Sequence, residues 1–403
     1  MSQPASAAYR ADLGGRDQPF GPADGDWIAV ASVLEHAALV SEPARSDLLR
    51  DAVELATEIV GENQVSHLAH REWQDRDRSP SEAILILADQ IHTVGAFHLA
   101  GAILDSFLEA DSSLNVVQRG RTLAKRARIE WKMGRLDDAA DRYRHIESLG
   151  RRFKTPELRA RAWIGLAALN QMWNDFTAVH RYARRAARLA ETEGLLRLAR
   201  EAHNGLMIAA SLSGRHDEAL VHGWTVFQLS TGDSHDEAEV LQNLGQILLH
   251  LGVVDSARAA FATVASRELP ARWILPALGG LALASAASEH DLTTEWAARE
   301  VLRVDPLTVP RYVLASALFE CAVALTRLGR KKNAARCRDA ALELTREYNF
   351  RELAAQFAEL DETSTSVDVR PKSVLNKRAT RVVNALSSME PRSLPRHISL
   401  ASA

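Results

Sequence analysis

Residues 243–261 read NLGQILLHLGVVDSARAAF. Gly245 and Gly252 lie seven residues apart, and Ala257, Phe261 and Val264 then follow at the spacing of one helical face. A glycine that ends one helix and a small-then-large apolar stripe beyond it describe a helix–turn–helix hairpin. Whether that hairpin stands alone or is one copy of many decides the fold, because an overlooked period mis-assigns the whole chain.

The same template fits elsewhere. It recurs with Gly95, Ala100, Leu104 and Phe107, then with Gly134, Ala139, Tyr143 and Ile146. Asn174 takes the glycine's place ahead of Phe176, Val179, Ala183 and Ala186, and asparagine also tolerates the left-handed backbone conformation. Further copies carry Gly214, Ala219 and Val226, and Gly329, Ala334 and Ala341, while a degenerate copy centres on Glu289 and His290. The intervals are about 38 to 40 residues, so seven hairpins share one period. Seven residues before the turns stand Ala88, Ala127, Ala167, Met207, Gly245 and Ala322, mostly small. Eleven before stand Ile84, Leu123, Trp163, His203, Leu241 and Leu318, mostly large.

Trp163 and Ala167 in WIGLAALN, with Gly245 and Gly252, bring the pattern closest to the tetratricopeptide repeat, which it resembles over residues 81–361. The unit is longer than the family norm of about 34 residues. In this it is similar to the longer-helix variants of kinesin light chain and of bacterial regulatory proteins. The resemblance implies an all-α, right-handed α-solenoid of about seven hairpins, the first helix of each lining a concave groove. The copy near residue 290 has no turn glycine, which predicts a local change in the stacking.

Composition agrees with a helical chain: aromatics are 6 % and only 13 prolines occur, five of them near the ends. The start, MSQPASAAYRADLGGRDQPF, has no apolar stretch, and no run of eighteen apolar residues occurs anywhere, so a soluble cytoplasmic protein without a membrane span is expected. Cys321 and Cys337 sit among small helical residues and read as buried thiols. The net charge of −3 hides an uneven distribution: −12 over 1–114, +11 over 115–200, −6 over 201–361 and +4 beyond.

Residues 1–25 read as a flexible arm and 26–80 as an N-terminal helical cap, with Ser79-Pro80-Ser81 opening the 81–361 array. Residues 362–403 read as a linker and a basic amphipathic tail. There Val374, Leu375, Ala379, Val382, Val383 and Leu386 face one way and Lys377, Arg378 and Arg381 the other. That segment could dock back as a capping helix, bind a partner helix or touch an acidic surface.

No Walker loop, Rossmann fingerprint, nucleophile elbow or HExxH motif is present, so no enzyme, cofactor or metal site is expected. His67 and His70 can share a helix face but lack a third ligand, and His92 and His98 read as surface or groove residues. Asp137-Asp138 and Asp217-Glu218 open the second helices of their hairpins and offset the helix dipole.

The resemblance assigns Arg121, Lys125, Arg128, Trp131, Lys132 and Arg161 to the early groove, and Asn204, Ile208, Gln242, Asn243, Gln246 and His250 to its later part. Asn243 in NLG looks like the asparagine that longer-unit relatives use to hold a peptide backbone. The expectation is a protein-interaction scaffold or adaptor taking an extended or helical segment, with carboxylates meeting the arginines. The alternative is a signal-responsive regulator whose curvature changes when a small peptide binds, though no output domain is visible. Nucleic-acid binding through 115–200 is the third reading. Arg126, Arg142, Arg144, Arg151, Arg152, Arg181, Arg184, Arg185 and Arg188 read as spread over several helix faces, and the acidic flanks oppose phosphate.

Overall fold

The computed structural model describes residues 85, 88, 97–110, 114–230, 232, 234–362 and 375–389. The expected arm, the cap over 26–80, His67, His70, His92, the turn at Gly95 and the linker lie outside the described residues. The described chain is all-helical and divides into two compact units, residues 1–202 and 203–403.

In the first unit, α1 (Phe97–Ala110) precedes the hairpins α2 (Val116–Lys132) with α3 (Leu136–Arg152) and α4 (Pro156–Met172) with α5 (Phe176–Thr192). The next helix, α6 (Leu196–Leu212), crosses the division between the units. In the second unit come α7 (His216–Leu229), α8 (Ser234–His250), α9 (Val254–Ala265), α10 (Ala271–Ala287), α11 (Asp291–Leu302), α12 (Arg311–Arg327), α13 (Lys331–Glu347), α14 (Arg351–Glu362) and α15 (Lys377–Ser387). In the first unit α1 to α5, and in the second α7 to α14, pack in sequence order on their neighbours, and alternate helices such as α2 and α4, or α8 and α10, also touch. Even-numbered helices are the first helices of hairpins and odd-numbered ones the second.

The turn inside each described hairpin is made by a single residue with positive φ. Gly134, Asn174, Gly214, Gly252, Glu289 and Gly329 take that conformation at the six expected turns, with φ of 78° at Gly134, 56° at Asn174 and 60° at Glu289. The connections between hairpins use it too, at Lys154, Gly194 and Asn349. From 134 to 214 these residues fall at every twentieth position. At each, the following amide reaches back across the turn: Arg135 N–H donates to Glu130 O (2.9 Å), Thr155 N–H to Gly150 O (2.9 Å), and Arg215 N–H to Ala210 O (2.8 Å). This is the Schellman closure, which satisfies carbonyls that a helix end otherwise leaves bare. Seventeen-residue helices joined this way account for the long unit.

Starts are set by side chains. Asn115 caps α2 and forms a reciprocal box with Gln118, Pro156 opens α4, and Asp175 caps α5. Asp137-Asp138 and Asp217-Glu218 occupy the first turns of α3 and α7 as expected.

The small positions exist because aromatic rings fill them. A Cβ on Gly165 of α4 would lie 2.2 Å from the ring of Tyr143 on α3. Phe261 on α9, fully buried, sits between two glycines, Gly245 of its own hairpin and Gly280 of the next, with added Cβ atoms falling 2.6 and 2.5 Å from its ring. Cys321 and Cys337 are free and buried, as read, and burial pushes the Cys337 thiol up to about 11. The degenerate hairpin does depart from its neighbours: a 3-10 turn at Pro306–Thr308 follows α11, and α10 packs directly and extensively on α12.

The tail helix α15 docks back, but not over an end. It lies on α7 and α9, two second helices of adjacent hairpins, burying Ala379, Val382 and Leu386 and exposing Lys377, Arg378 and Arg381. Asn376 N–H donates to Asp217 Oδ2 at 2.8 Å, and the hydroxyls of Ser387 and Ser256 meet at 2.6 Å. The capping expectation is thus corrected to a strap across two hairpins. The receiving surface was readable: α7 carries Leu220, Val221 and Trp224 where α5 carries His180, Arg181 and Arg184 at the same helix positions.

Because Phe261 joins three helices, Phe261→Ala is expected to destabilise the chain by about 3–5 kcal/mol, and Gly280→Val by about 1–3 kcal/mol through overpacking. Urea unfolding followed by circular dichroism measures both, and a loss below about 1 kcal/mol for Phe261→Ala would contradict this packing account.

Candidate functional site

The first helices of the hairpins present the side chains assigned to the groove. In the first unit Glu157, at the start of α4, is the centre. It accepts from Arg121 Nε (2.7 Å) and NH2 (2.9 Å), and from Arg161 NH2 (3.0 Å). Burial pushes the Glu157 carboxyl up, but the two guanidiniums outweigh it and hold the group below the usual carboxylate range. Two of the four cations expected to meet a partner's carboxylates are therefore engaged within the chain. Arg128 remains exposed, Lys125 is half-buried, and Lys132 lies 4.9 Å above the half-buried Trp131 ring. Glu157 was missed although it stands four residues before Arg161, the spacing of a helical ion pair.

The other arginines of this unit fall into two sets. Arg126 pairs with Asp105 (2.9 Å) and Glu130 (3.3 Å), and Glu130, nearly buried, also takes Arg142 (2.7 Å). The bond to Glu130 raises the Arg142 guanidinium above its ordinary value. Arg144 and Arg151 pair with Asp141 and Glu147 on their own helix. Arg181, Arg184, Arg185 and Arg188 are all exposed and share one face of α5, while the other arginines of the basic stretch lie on α2 and α3, so the nine remain spread over several helices.

In the second unit Asn204 on α6 and Asn243 and Gln246 on α8 are half-buried. The Asn204 and Asn243 side chains make no hydrogen bond to any described residue. Gln242 differs from expectation: its Nε2 donates to the Trp273 carbonyl at 2.5 Å, so it ties α8 to α10. His250 differs as well, because its Nδ1 donates to the Gln246 carbonyl (2.8 Å) and its ring stacks on His216 of α7 at 5.9 Å. Ile208 is half-buried beside the core of this unit. His98, in the first unit, is exposed.

Glu320 is the acid the sequence reading passed over. In RYVLASALFECAVALTR it is the only charged residue between Arg311 and Arg327. Its carboxyl lies against α10, where a Cβ on Gly279 would collide with Oε2. No described residue hydrogen-bonds or ion-pairs with it, and burial pushes it up to about 8. Among the described residues no group of three or more His, Cys, Asp or Glu could hold a metal, and no helix is long and apolar enough to cross a membrane.

No protein-family model matches the chain, and no curated protein matches it. Solved structures do. A STAND protein (signal transduction ATPase with numerous domains) with a tetratricopeptide repeat sensor, from Pyrococcus horikoshii, superposes with a TM-score of 0.53 at 12 % identity, over 89 % of this chain and 55 % of that one. This chain thus spans about half the length of that relative. BtubC (BKLC) from P. vanneervenii gives 0.39 at 17 % identity over 62 % and 90 % of the two chains. The apo quorum sensor NprR from B. thuringiensis gives 0.43 at 12 % over 73 % and 99 %. The helical repeats are of the tetratricopeptide-like kind.

The Glu320 environment sets a pH dependence. A carboxyl held above its unfolded value of about 4.5 favours the protonated native state, so its contribution is complete below that value and is lost as pH rises through about 8. Thermal melts of the wild type and Glu320→Gln from pH 5 to 9 are expected to lie closest at the acid end, to separate progressively as pH rises to about 8 and to stay apart above it, the variant melting higher. Parallel profiles would show that the carboxyl is not held in this way.

Proposed function

We propose that the chain is a non-catalytic, cytoplasmic binding protein of the longer-unit tetratricopeptide family, taking a protein or peptide segment along its first-helix row. One observation carries this reading. Asn204 and Asn243 sit half-buried on successive first helices of the second unit with amides bonded to no described residue. Each amide keeps a donor and an acceptor within reach of solvent, and an extended backbone offers the complementary pair. Side-chain amides read peptide groups whatever the sequence, so the row suits a partner segment better than one small molecule. In the first unit, taken by itself, Arg121 and Arg161 already share Glu157, which leaves exposed Arg128 as the cation for an acidic group there.

Tagged full-length protein and its Asn204→Ala/Asn243→Ala variant, compared by quantitative mass spectrometry of what co-purifies, test the reading. Two amide bonds at about 1 kcal/mol each predict that the specific partner falls by roughly ten- to thirtyfold while the melting temperature holds. An unchanged partner set in a folded variant removes it.

A second reading, a regulator that changes curvature on binding a peptide, is favoured by the strap. Helix α15 bridges α7 and α9, the second helices on either side of α8, which carries Asn243. A ligand that re-spaces these hairpins must work against α15. In full-length Val382→Asp/Leu386→Asp, hydrogen exchange over 377–387 is expected to lose protection and the small-angle scattering profile to change with it. A released strap with an unaltered profile would leave no ground for this mechanism.

A further inference from the structure

Glu320 differs from the shielded acids of the first unit. Asp105, Glu130, Glu147 and Glu157 each face a guanidinium, whereas Glu320 projects from the middle of α12 onto the backbone of α10 at Gly279. Two glycines in succession, Gly279 and Gly280, leave α10 without side chains there; Gly280 receives Phe261 and Gly279 receives the Glu320 carboxyl. The residue is surrounded by protein yet keeps some exposure, which places it at the floor of a depression and not inside the core. Among the described residues none supplies it with a counter-charge. The one other ionisable residue on α10, Arg272, lies seven residues earlier and stacks on Trp273. On α12 and α13 the nearby groups are the Cys321 and Cys337 thiols, both held neutral by burial. Pro276 and Leu283 on α10 and Ser316 and Phe319 on α12 are half-buried on the same two helices. Together they give a largely apolar surround suited to the methylene stem of a long side chain.

We infer that the Glu320 carboxyl and the side-chain-free stretch at Gly279 form a subsite for a lysine or arginine side chain of the bound segment. The inference rests on the peptide-binding reading and names one of its recognition elements. The cation supplies the charge partner that the chain withholds, and a charge-assisted bond in a partly desolvated place discriminates strongly against a neutral or acidic residue at that position of the ligand. Near pH 7 the carboxyl carries its proton in the free protein, so the arriving cation ionises it and one proton leaves to solvent.

The probe is a phage-displayed library of random twelve-residue peptides, panned at pH 7 on the full-length wild type, on Glu320→Gln and on Asn204→Ala/Asn243→Ala. The expected result is a family of wild-type binders sharing Arg or Lys at one position, with that preference lost on Glu320→Gln and other positions retained. A synthesised member of the family is expected to bind Glu320→Gln roughly ten- to a hundredfold more weakly, the effect of losing a hydrogen bond to a charged group. Calorimetry in two buffers of different ionisation heat is expected to show close to one proton released by the wild type and none by the variant. Binders without a shared base, or an equal preference on Glu320→Gln, overturn the subsite and leave the groove reading standing. No enriched peptide on the wild type, or equal enrichment on the asparagine variant, overturns the groove reading and the subsite with it.

Discussion

The described hairpins depend on a left-handed residue at the turn between their two helices. Right-handed helix continues until one backbone unit reverses its φ, and the amide after it closes onto a carbonyl one turn back. That closure sends the chain directly into an antiparallel partner with no loop between. Everything else follows from the geometry it imposes: one face of each helix meets two neighbours, and residues at fixed positions meet again and again.

Part of this was legible because glycine advertises positive φ. Gly134, Gly214, Gly252 and Gly329 announced their turns, Asn174 did so through its tolerance of that region, and Glu289 was placed by counting alone. Lys154 and Asn349 end helices in the same way between hairpins, and nothing in a lysine signals it; there the packing of the neighbouring helices dictates the backbone. The turn glycines and asparagine therefore display a period near 40 residues, and the half-period of 20 beneath it between 134 and 214 emerges only in the fold. The small positions were legible as helix contacts, but the rings that fill them lie one hairpin away and only the fold joins Tyr143 to Gly165 or Phe261 to Gly280.

The candidate site was harder to read, because charge on a helix face says nothing of what sits across from it. Arg121 and Arg161 looked alike as free cations until Glu157 appeared between them, and Gln242 looked like a reader of ligands until the Trp273 carbonyl met it. Conversely Glu320, an anomaly in an apolar stretch, was visible in the sequence without any sign of where it pointed. Pairing across neighbouring helices depends on register, which the hairpin period fixes only to within a residue or two. The strap contacts, 131 and 159 residues apart in sequence, carry no local signal beyond matching apolar faces.

The twenty-residue spacing of the left-handed positions has a consequence for how such a chain can change length. From 134 to 214, where turns within and between hairpins share one geometry, removing a single helix with its turn still lets the remaining helices stack. It would, however, exchange the roles of all later helices, so that residues shaped for a ligand face solvent on the far side and vice versa. Insertions and losses that keep recognition intact must come as whole pairs. The array can therefore grow or shrink through duplication only in steps that preserve the parity of its helices.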